Sequence, residues 1–340
     1  MTEQRLLAAA RDGNEDAFAQ LITPYRTELK AHCYRILGST HDAEDALQET
    51  LLRTWRGLAR FEGRSSLRSW LYTVATNVCL RAIERRPKRV LPIDYGPASA
   101  DPHSDTAEPL TESVWVEPYP DDELHIPDGI AGPDARYEQR ESIELAFIAA
   151  LQHLPARQRA VLILRDVLGY TGAEVATALD TNPDAVYTAL QRAHKTVEER
   201  LPERSQQATL RSLGDDTLRG IVEDYVEAWE QGDVDALAAM LAEDAALTMP
   251  PVPTWFRGRD AIATFFREFP LAPGTRWRVV PTRANGQPAF GHYRWIDEAQ
   301  AFLGRAIAVL TLDGDRIVEL TSFRNPDLLE RFGLPDKLES

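Results

Sequence analysis

The sequence has 340 residues, 44% of them hydrophobic, and a formal net charge of −15. That length predicts two or three domains with real cores, and no apolar run approaches the roughly 18 residues that a bilayer span needs. The two cysteines, Cys33 and Cys79, sit inside apolar helical patterns, which predicts buried thiols in a reducing cytoplasm and excludes a disulfide or metal framework. The opening stretch, MTEQRLLAAARDGNEDAF, lacks a basic segment followed by an apolar one and does not read as a signal peptide. The acid is unevenly spread. Residues 91–140 carry twelve acidic and two basic groups, whereas residues 56–90 carry nine basic and two acidic. The chain average hides that basic stripe, which is what a phosphate backbone would feel.

Residues 1–90 read as helices, with proline only at positions 24 and 87. On a helix over DAEDALQETLLRTWRGLAR (42–60), Ala43, Leu47, Leu51, Trp55 and Leu58 form an inward stripe. Asp45, Gln48, Glu49 and Leu52 form a second stripe, acidic and polar with one leucine in it. Taken alone, this stripe reads either as a contact surface or as a solvated face whose acids suit the helix dipole. Next comes FEGRSSLRSWLYTVATNVCLRAIERRPKR (61–89). Its Gly/Ser turn predicts a helix N-cap at Ser65 or Ser66, with Leu67, Leu71, Val74 and Val78 facing inward. Thr73, Asn77, Arg81 and Arg85 share another face. Arginines there can fix phosphates and an Asn amide can bond a base edge; Arg86, Lys88 and Arg89 extend the basic cluster.

These two stretches together resemble region 2 of the extracytoplasmic-function sigma factors of the sigma-70 family. The resemblance implies that Asp45, Gln48, Glu49 and Leu52 dock on a coiled coil of the largest subunit of core RNA polymerase. It implies that Gly63, Arg64, Ser65 and Ser66 border a pocket for a flipped promoter base, and that Asn77, Arg81 and Arg85 follow the non-template strand at the −10 element. Trp70 reads as a core residue, with a stacking platform as the alternative.

Residues 91–140 hold eight prolines, many acids and little periodicity, which predicts a linker that is extended or disordered when unbound. Within it, VWVEPYPDDEL (114–124) is too aromatic for a pure spacer. Residues 141–204 are helical again. Gly172 to Leu179 predicts a short helix, Asp180, Thr181 and Asn182 a tight turn, and Pro183 the first residue of the next helix. Ala176, Val186 and Leu190 form the predicted core of this helix-turn-helix. Asp184, Tyr187, Thr188, Gln191, Arg192 and Lys195 project outward, some of them to a major groove or its phosphates, and His194 reads as a bystander or phosphate contact rather than a catalyst. Following a region 2-like unit, this arrangement resembles sigma region 4, the −35 reader.

SQQATLRSLGDD (205–216) reads as a polar hinge. Beyond it, helices near 215–231, 233–242 and 259–269 precede alternating stretches at 276–284, 287–296, 301–312 and 316–323, which predict half-buried antiparallel strands. Asn285-Gly286 and Asp313-Gly314 sit where hairpin turns need positive φ. This tail, residues 215–335, resembles the SnoaL-like fold. The resemblance admits catalysis through His292, Asp297 or Glu319, but they form no clear dyad. Trp255, Phe256, Trp277, Tyr293 and Phe323 are candidates to line a ligand pocket.

The expectation is therefore a multidomain chain: two all-α helical sigma domains (1–90 and 141–204), the second with a helix-turn-helix, and a C-terminal α+β SnoaL-like cone. Its expected role is a promoter-directing sigma factor, with core RNA polymerase and promoter DNA as partners. The tail would act through intramolecular contact with the sigma domains. No catalytic residue, cofactor, metal or membrane is expected. The rival readings are a polymerase-independent helix-turn-helix regulator and a SnoaL-like enzyme fused to a helical adaptor.

Overall fold

The computed structural model describes residues 2–85, 88–103, 108–110, 115–123 and 142–339. By contacts these form two units. The first comprises the described parts of 1–88, 123–142 and 147–200, and the second those of 89–122, 143–146 and 201–340.

The first unit opens with α1 (Glu3–Arg11), α2 (Glu15–Ile22), α3 (Arg26–Leu37), α4 (Thr40–Gly57) and α5 (Leu67–Ile83). Polar residues set three of the starts. Asn14, Ser39 and Ser66 each accept the backbone N–H three residues ahead, at 2.8, 3.1 and 3.1 Å, which satisfies a donor the helix cannot pair itself. The predicted cap at Ser66 is thus the observed one. Leu29, Cys33, Ile36, Leu47, Leu71, Ala75 and Cys79 close the core, and burial pushes the Cys79 thiol up. Of the predicted inward stripes, Ala43, Leu47, Leu58, Leu67, Leu71 and Val78 are buried, whereas Leu51, Trp55 and Val74 are half-buried. Trp70 is half-buried and stacks on Phe61 at 4.9 Å between ring centroids.

The unit continues with α6 (Leu145–Gln152) from residue 147 on, its first two residues belonging to the second unit, then α7 (Ala156–Leu162), a π turn (Ile163–Val167), α8 (Gly172–Ala178) and α9 (Pro183–Glu198). Buried Arg159 ties this half to the first. It donates to Gln152 Oε1 at 2.6 Å, to the carbonyls of Gln152 and Leu154, and to the carbonyl of Ile36 near the end of α3. Helix ends present unpaired carbonyls, so one guanidinium meets several at once. Desolvation nonetheless lowers its pKa to about 10.

In the second unit, α10 (Gln206–Leu213), α11 (Asp215–Gln231), α12 (Val234–Met240) and α13 (Arg259–Glu268) accompany a seven-stranded sheet. Its strands are β1 (Leu241–Thr248), β2 (Trp255–Arg257), β3 (Trp277–Ala284), β4 (Gln287–Ile296), β5 (Ala301–Asp313), β6 (Arg316–Phe323) and β7 (Lys337–Leu338). The order is β2-β1-β6-β5-β4-β3, with β7 on β5, and only β1–β6 is parallel. The helices cover one face, where Tyr225, Trp229, Phe265, Phe266, Phe290 and Leu310 are buried together. A short helix, α14 (Asp327–Arg331), follows β6.

Two sequence readings change here. The hinge at 205–216 is largely α10, capped by Ser205 on the N–H of Ala208. Its glutamines are buried because each amide finds backbone. Gln206 exchanges two hydrogen bonds with Leu312, and Gln207 donates to the Gly286 carbonyl at 2.8 Å. The second change concerns the linker. Its described residues up to 122 are packed in the second unit, with Leu91, Trp115, Val116 and Tyr119 at most 5% exposed. They run along both sheet edges: Ser99 donates to Trp255 of β2, and Pro120 bridges Ala284 of β3. Chain laid there covers strand edges that otherwise offer unpaired backbone groups.

Candidate functional site

On α4 the second stripe faces out. Asp45 and Gln48 are exposed, Glu49 is half-buried and accepts from Arg53 at 2.5 Å, and Leu52 is 51% exposed. Among the described residues only Leu52, Tyr95 and Tyr187 are large hydrophobics with this much exposure, and two of those three are predicted contact residues. A single exposed leucine is ordinary on a protein surface; beside the polar groups of the same stripe it gives the face an apolar anchor that a partner could bury.

Around α5 the picture is mixed. Gly63 takes φ 73°, and Arg64 and Ser65 are exposed, Arg64 pairing with Glu62 at 2.5 Å. The Ser66 hydroxyl is committed to capping α5. Arg81 and Arg85 are exposed at the helix end, where cations suit the dipole. Asn77 is half-buried, and its amide donates to the Thr73 carbonyl at 2.9 Å and to the Ala178 carbonyl, at the end of α8, at 3.3 Å. Both of its N–H groups are therefore engaged within the first unit. Of the basic residues beyond, Arg86 lies outside the described residues. Lys88 meets His153 at 2.8 Å, and Arg89 is buried and donates to the Trp115 carbonyl, so it is no phosphate contact in this arrangement.

The helix-turn-helix forms as the punctuation predicts. Thr171 and Glu174 make a reciprocal capping box that opens α8. Asp180 takes φ 49° in the turn, and Asn182 caps α9 on Ala185 at 2.8 Å with Pro183 at the first position. Ala176 and Val186 are buried and Leu190 half-buried; Ala193 and Val197 complete the core. Tyr187, Thr188, Gln191, Arg192 and Lys195 are all exposed. Tyr187 accepts from Gln191 at 2.9 Å, while the Thr188 hydroxyl bonds back to Asp184. His194 pairs with Asp166 at 2.6 Å.

Sequence reasoning missed a polar clasp in the second unit, built on the β3–β4 turn. Asn285 and Gly286 take φ 56° and 72°, the turn their pairing predicts. Asn285, fully buried, accepts the N–H of Tyr119 at 2.8 Å, donates to the carbonyl of Ile143 at 2.6 Å, and gives its own N–H to the Tyr119 carbonyl. Asp121 accepts from the N–H of Gly286 at 2.7 Å and from Arg283. Gln287 accepts the N–H of Leu145, and Glu144 accepts the N–H groups of Gln206 and Gln207. One turn thus holds the linker on one side and residues 143–146 on the other. Its signal in the sequence was a hairpin dipeptide that does double duty.

The cone holds a cavity of about 610 Å³ that is open to solvent on one side. Of the five predicted lining residues only Trp277 borders it. Alternation along strands is the reason. His292 and Arg294 face the cavity, so Tyr293 between them faces away and donates to the Pro335 carbonyl at 2.8 Å. Leu320 and Ser322 face it, so Phe323 does not. Trp255 donates to the Gly96 carbonyl, and Phe256 packs against Phe265 in the core. Tyr225, Trp229, Phe265 and Phe266, from α11 and α13, supply the aromatic wall instead. Burial pushes His292 down to about 3, so it is neutral. Glu319, whose carboxyl burial pushes up, lies on the opposite sheet face and accepts from Thr321. Asp297 sits in the β4–β5 turn and takes the Trp295 indole N–H at 2.7 Å. The three catalytic candidates are therefore not brought together. Among the described residues no cluster of His, Cys, Asp or Glu could hold a metal, and no helix is long and apolar enough to cross a membrane.

Known proteins match the same segments. Residues 21–89 match the sigma-70 region 2 family, residues 144–197 sigma-70 region 4, and residues 222–320 the SnoaL-like domain family. The ECF RNA polymerase sigma factor SigG of Mycobacterium tuberculosis is 41% identical over 336 residues, which cover 96% of this chain and 86% of that protein. The chain belongs to the extracytoplasmic-function RNA polymerase sigma factors. SigW of Bacillus subtilis, another sigma factor of this family, is 25% identical over 203 residues, 59% of this chain and 97% of SigW. The crystal structure of the sigma factor SigJ of M. tuberculosis shares the fold, with a TM-score of 0.55 at 22% identity over 92% of this chain and 97% of that one.

Proposed function

We propose that this sigma factor recruits core RNA polymerase to promoters in the cytoplasm, through the outward stripe of α4, and that its cone regulates when it does so. The stripe of Asp45, Gln48, Glu49 and Leu52 carries the reading: it begins acidic, ends on an exposed leucine and is turned largely to solvent among the described residues. Arg64, Ser65, Asn77, Arg81 and Arg85 follow the opened −10 strand, while the exposed face of α9 reads the −35 element. Residues 1–90 and 141–204 are the two DNA-engaging domains in this reading, and 215–335 the regulatory one.

The bond between Asn77 and the Ala178 carbonyl marks a closed state. Elements named −35 and −10 lie about 25 base pairs apart, roughly 85 Å at about 3.4 Å per step. Two helices bonded at 3.3 Å cannot serve both at once. Promoter engagement therefore opens the first unit and frees the Asn77 amide. The clasp at Asn285 acts at the same level, since it holds the linker that must move with the two halves. The cone is a binding domain rather than a catalyst in this reading, because His292 and Glu319 occupy opposite sheet faces.

The test is affinity for purified core polymerase. Replacing Asp45, Gln48, Glu49 and Leu52 together by alanine leaves an exposed helix folded, and is expected to weaken binding at least a hundredfold. Unchanged affinity with unchanged circular dichroism would remove α4 as the docking surface.

A further inference from the structure

The cavity in the cone has a feature the transcription reading does not use. Its wall is aromatic: Tyr225, Trp229, Phe265, Phe266 and Trp277. Two cations border it, Arg294 on β4 and Arg305 on β5. A bulge puts the second one there. His292 pairs with Ala306 but Tyr293 pairs with Gly304, so Arg305 is the extra residue of β5. A bulge re-aims a side chain, and here it lets Arg305 and its neighbour Ala306 border the same space. Both arginines are exposed, and neither has a hydrogen-bond or ion-pair partner among the described residues. The one acid on the lining, Glu268, is taken up by His103 at 2.7 Å. Arg324 also borders the cavity but is engaged elsewhere in the chain.

Deeper in, two polar groups sit among the rings. The indole N–H of Trp229 is buried and makes no hydrogen bond of good geometry among the described residues, the Tyr225 hydroxyl being a poorly aligned neighbour there. His292 is 4% exposed, lies 4.6 Å from the Trp229 ring, and reaches only a long 3.4 Å contact with the Tyr225 hydroxyl. A buried donor without a well-placed partner is unfavourable, and a bound acceptor atom would recover that loss. The volume, about 610 Å³, falls in the range of small-molecule sites, roughly 300–1,000 Å³.

We propose that the cone binds a small amphipathic anion: an aromatic or alicyclic body against the rings, a hydrogen-bond acceptor within that body facing Trp229, and a carboxylate or phosphate head at Arg294 and Arg305. The proposal rests on the cavity and not on the promoter-directing role, so its failure leaves that role untouched.

The test uses the full chain and four probes: 6-methoxy-2-naphthoate, 6-methoxy-2-naphthyl phosphate, the neutral 6-methoxy-2-naphthamide, and plain 2-naphthoate, which lacks the methoxy acceptor. Calorimetric titration is expected to give saturable one-to-one binding of at least one anion, with the amide at least tenfold weaker. The comparison of the two methoxy anions distinguishes a carboxylate site from a phosphate site. In the double variant Arg294→Gln/Arg305→Gln, whose side chains are exposed, the anion should lose at least tenfold and the amide should not change. A second variant, Trp229→Phe, keeps the ring stack and should weaken all probes that carry the methoxy acceptor but not plain 2-naphthoate. No saturable binding of any probe, or anion binding indifferent to the arginines, overturns the proposal.

Discussion

Replacing Asn285 by glycine isolates the clasp. Glycine keeps the positive φ of 56° without strain, so the β3–β4 turn survives and only the side chain is removed. That side chain makes two buried bonds, at 2.8 Å to the Tyr119 N–H and 2.6 Å to the Ile143 carbonyl. Their removal strands two buried backbone groups, each costing about 1–3 kcal/mol, so the local hold weakens by about 2–6 kcal/mol. At about 1.4 kcal/mol per tenfold, opening becomes at least about 30-fold more frequent. The assay is native-state hydrogen exchange. Val116 and Leu145 are the reporters, because their amides bond to Val90 and Gln287 and not to Asn285. Both should exchange at least about 30-fold faster, while the Phe290 amide in β4 should not. Faster exchange at Tyr119 alone would show that the turn does not hold the segments, and the clasp would have no role in fastening the linker.

His32 and His292 are both buried with pKa values pushed down to about 3 by desolvation, from 6.5. Because the unfolded chain takes up these protons first, stability is full above pH 6.5 and falls as pH drops toward 3, by roughly 1.4 kcal/mol per unit per histidine. Urea unfolding of His292→Phe between pH 4 and 6.5 should show a slope shallower by one proton. In the polymerase complex, changing Arg64, Arg81 and Arg85 to glutamine should reduce the salt slope of promoter binding by about 0.7 for each single-strand phosphate that no longer meets an arginine. A Cβ at Gly304 would lie 2.0 Å from Leu329 Cδ1 and 3.2 Å from the Asp336 carbonyl oxygen, so Gly304→Ala should destabilise the cone by about 1–3 kcal/mol, read by thermal melting.

The helical and stranded skeleton was legible wherever local chemistry and tertiary packing agreed. Ser66, Asn182 and Pro183 mark their helix starts in the sequence, and the alternating runs from residue 276 to 323 became β3 to β6. What failed were segments whose polarity is internalised. Gln206 and Gln207 look like solvent-facing residues, and only the strand backbone they meet reveals α10. The linker's prolines and acids suggest a free spacer, yet Trp115, Val116 and Tyr119 are buried against the cone. The cavity was misassigned for a simpler reason. Hydrophobicity picks out the aromatics of β2, β4 and β6, but which strand face looks inward depends on register, and the wall comes largely from helices α11 and α13. That the α4 stripe faces outward was legible from its polar residues at helical spacing, but spacing alone left it either a contact surface or a solvated face, and only the resemblance to region 2 gave it a partner.

Run-off transcription tests the central claim most directly. Purified core polymerase on a library of genomic promoter fragments should give discrete start sites only when this chain is added, and those starts should vanish with the four-residue α4 variant. If neither the full chain nor one ending at Arg204 directs a specific start, while both remain folded, the promoter-directing role is contradicted.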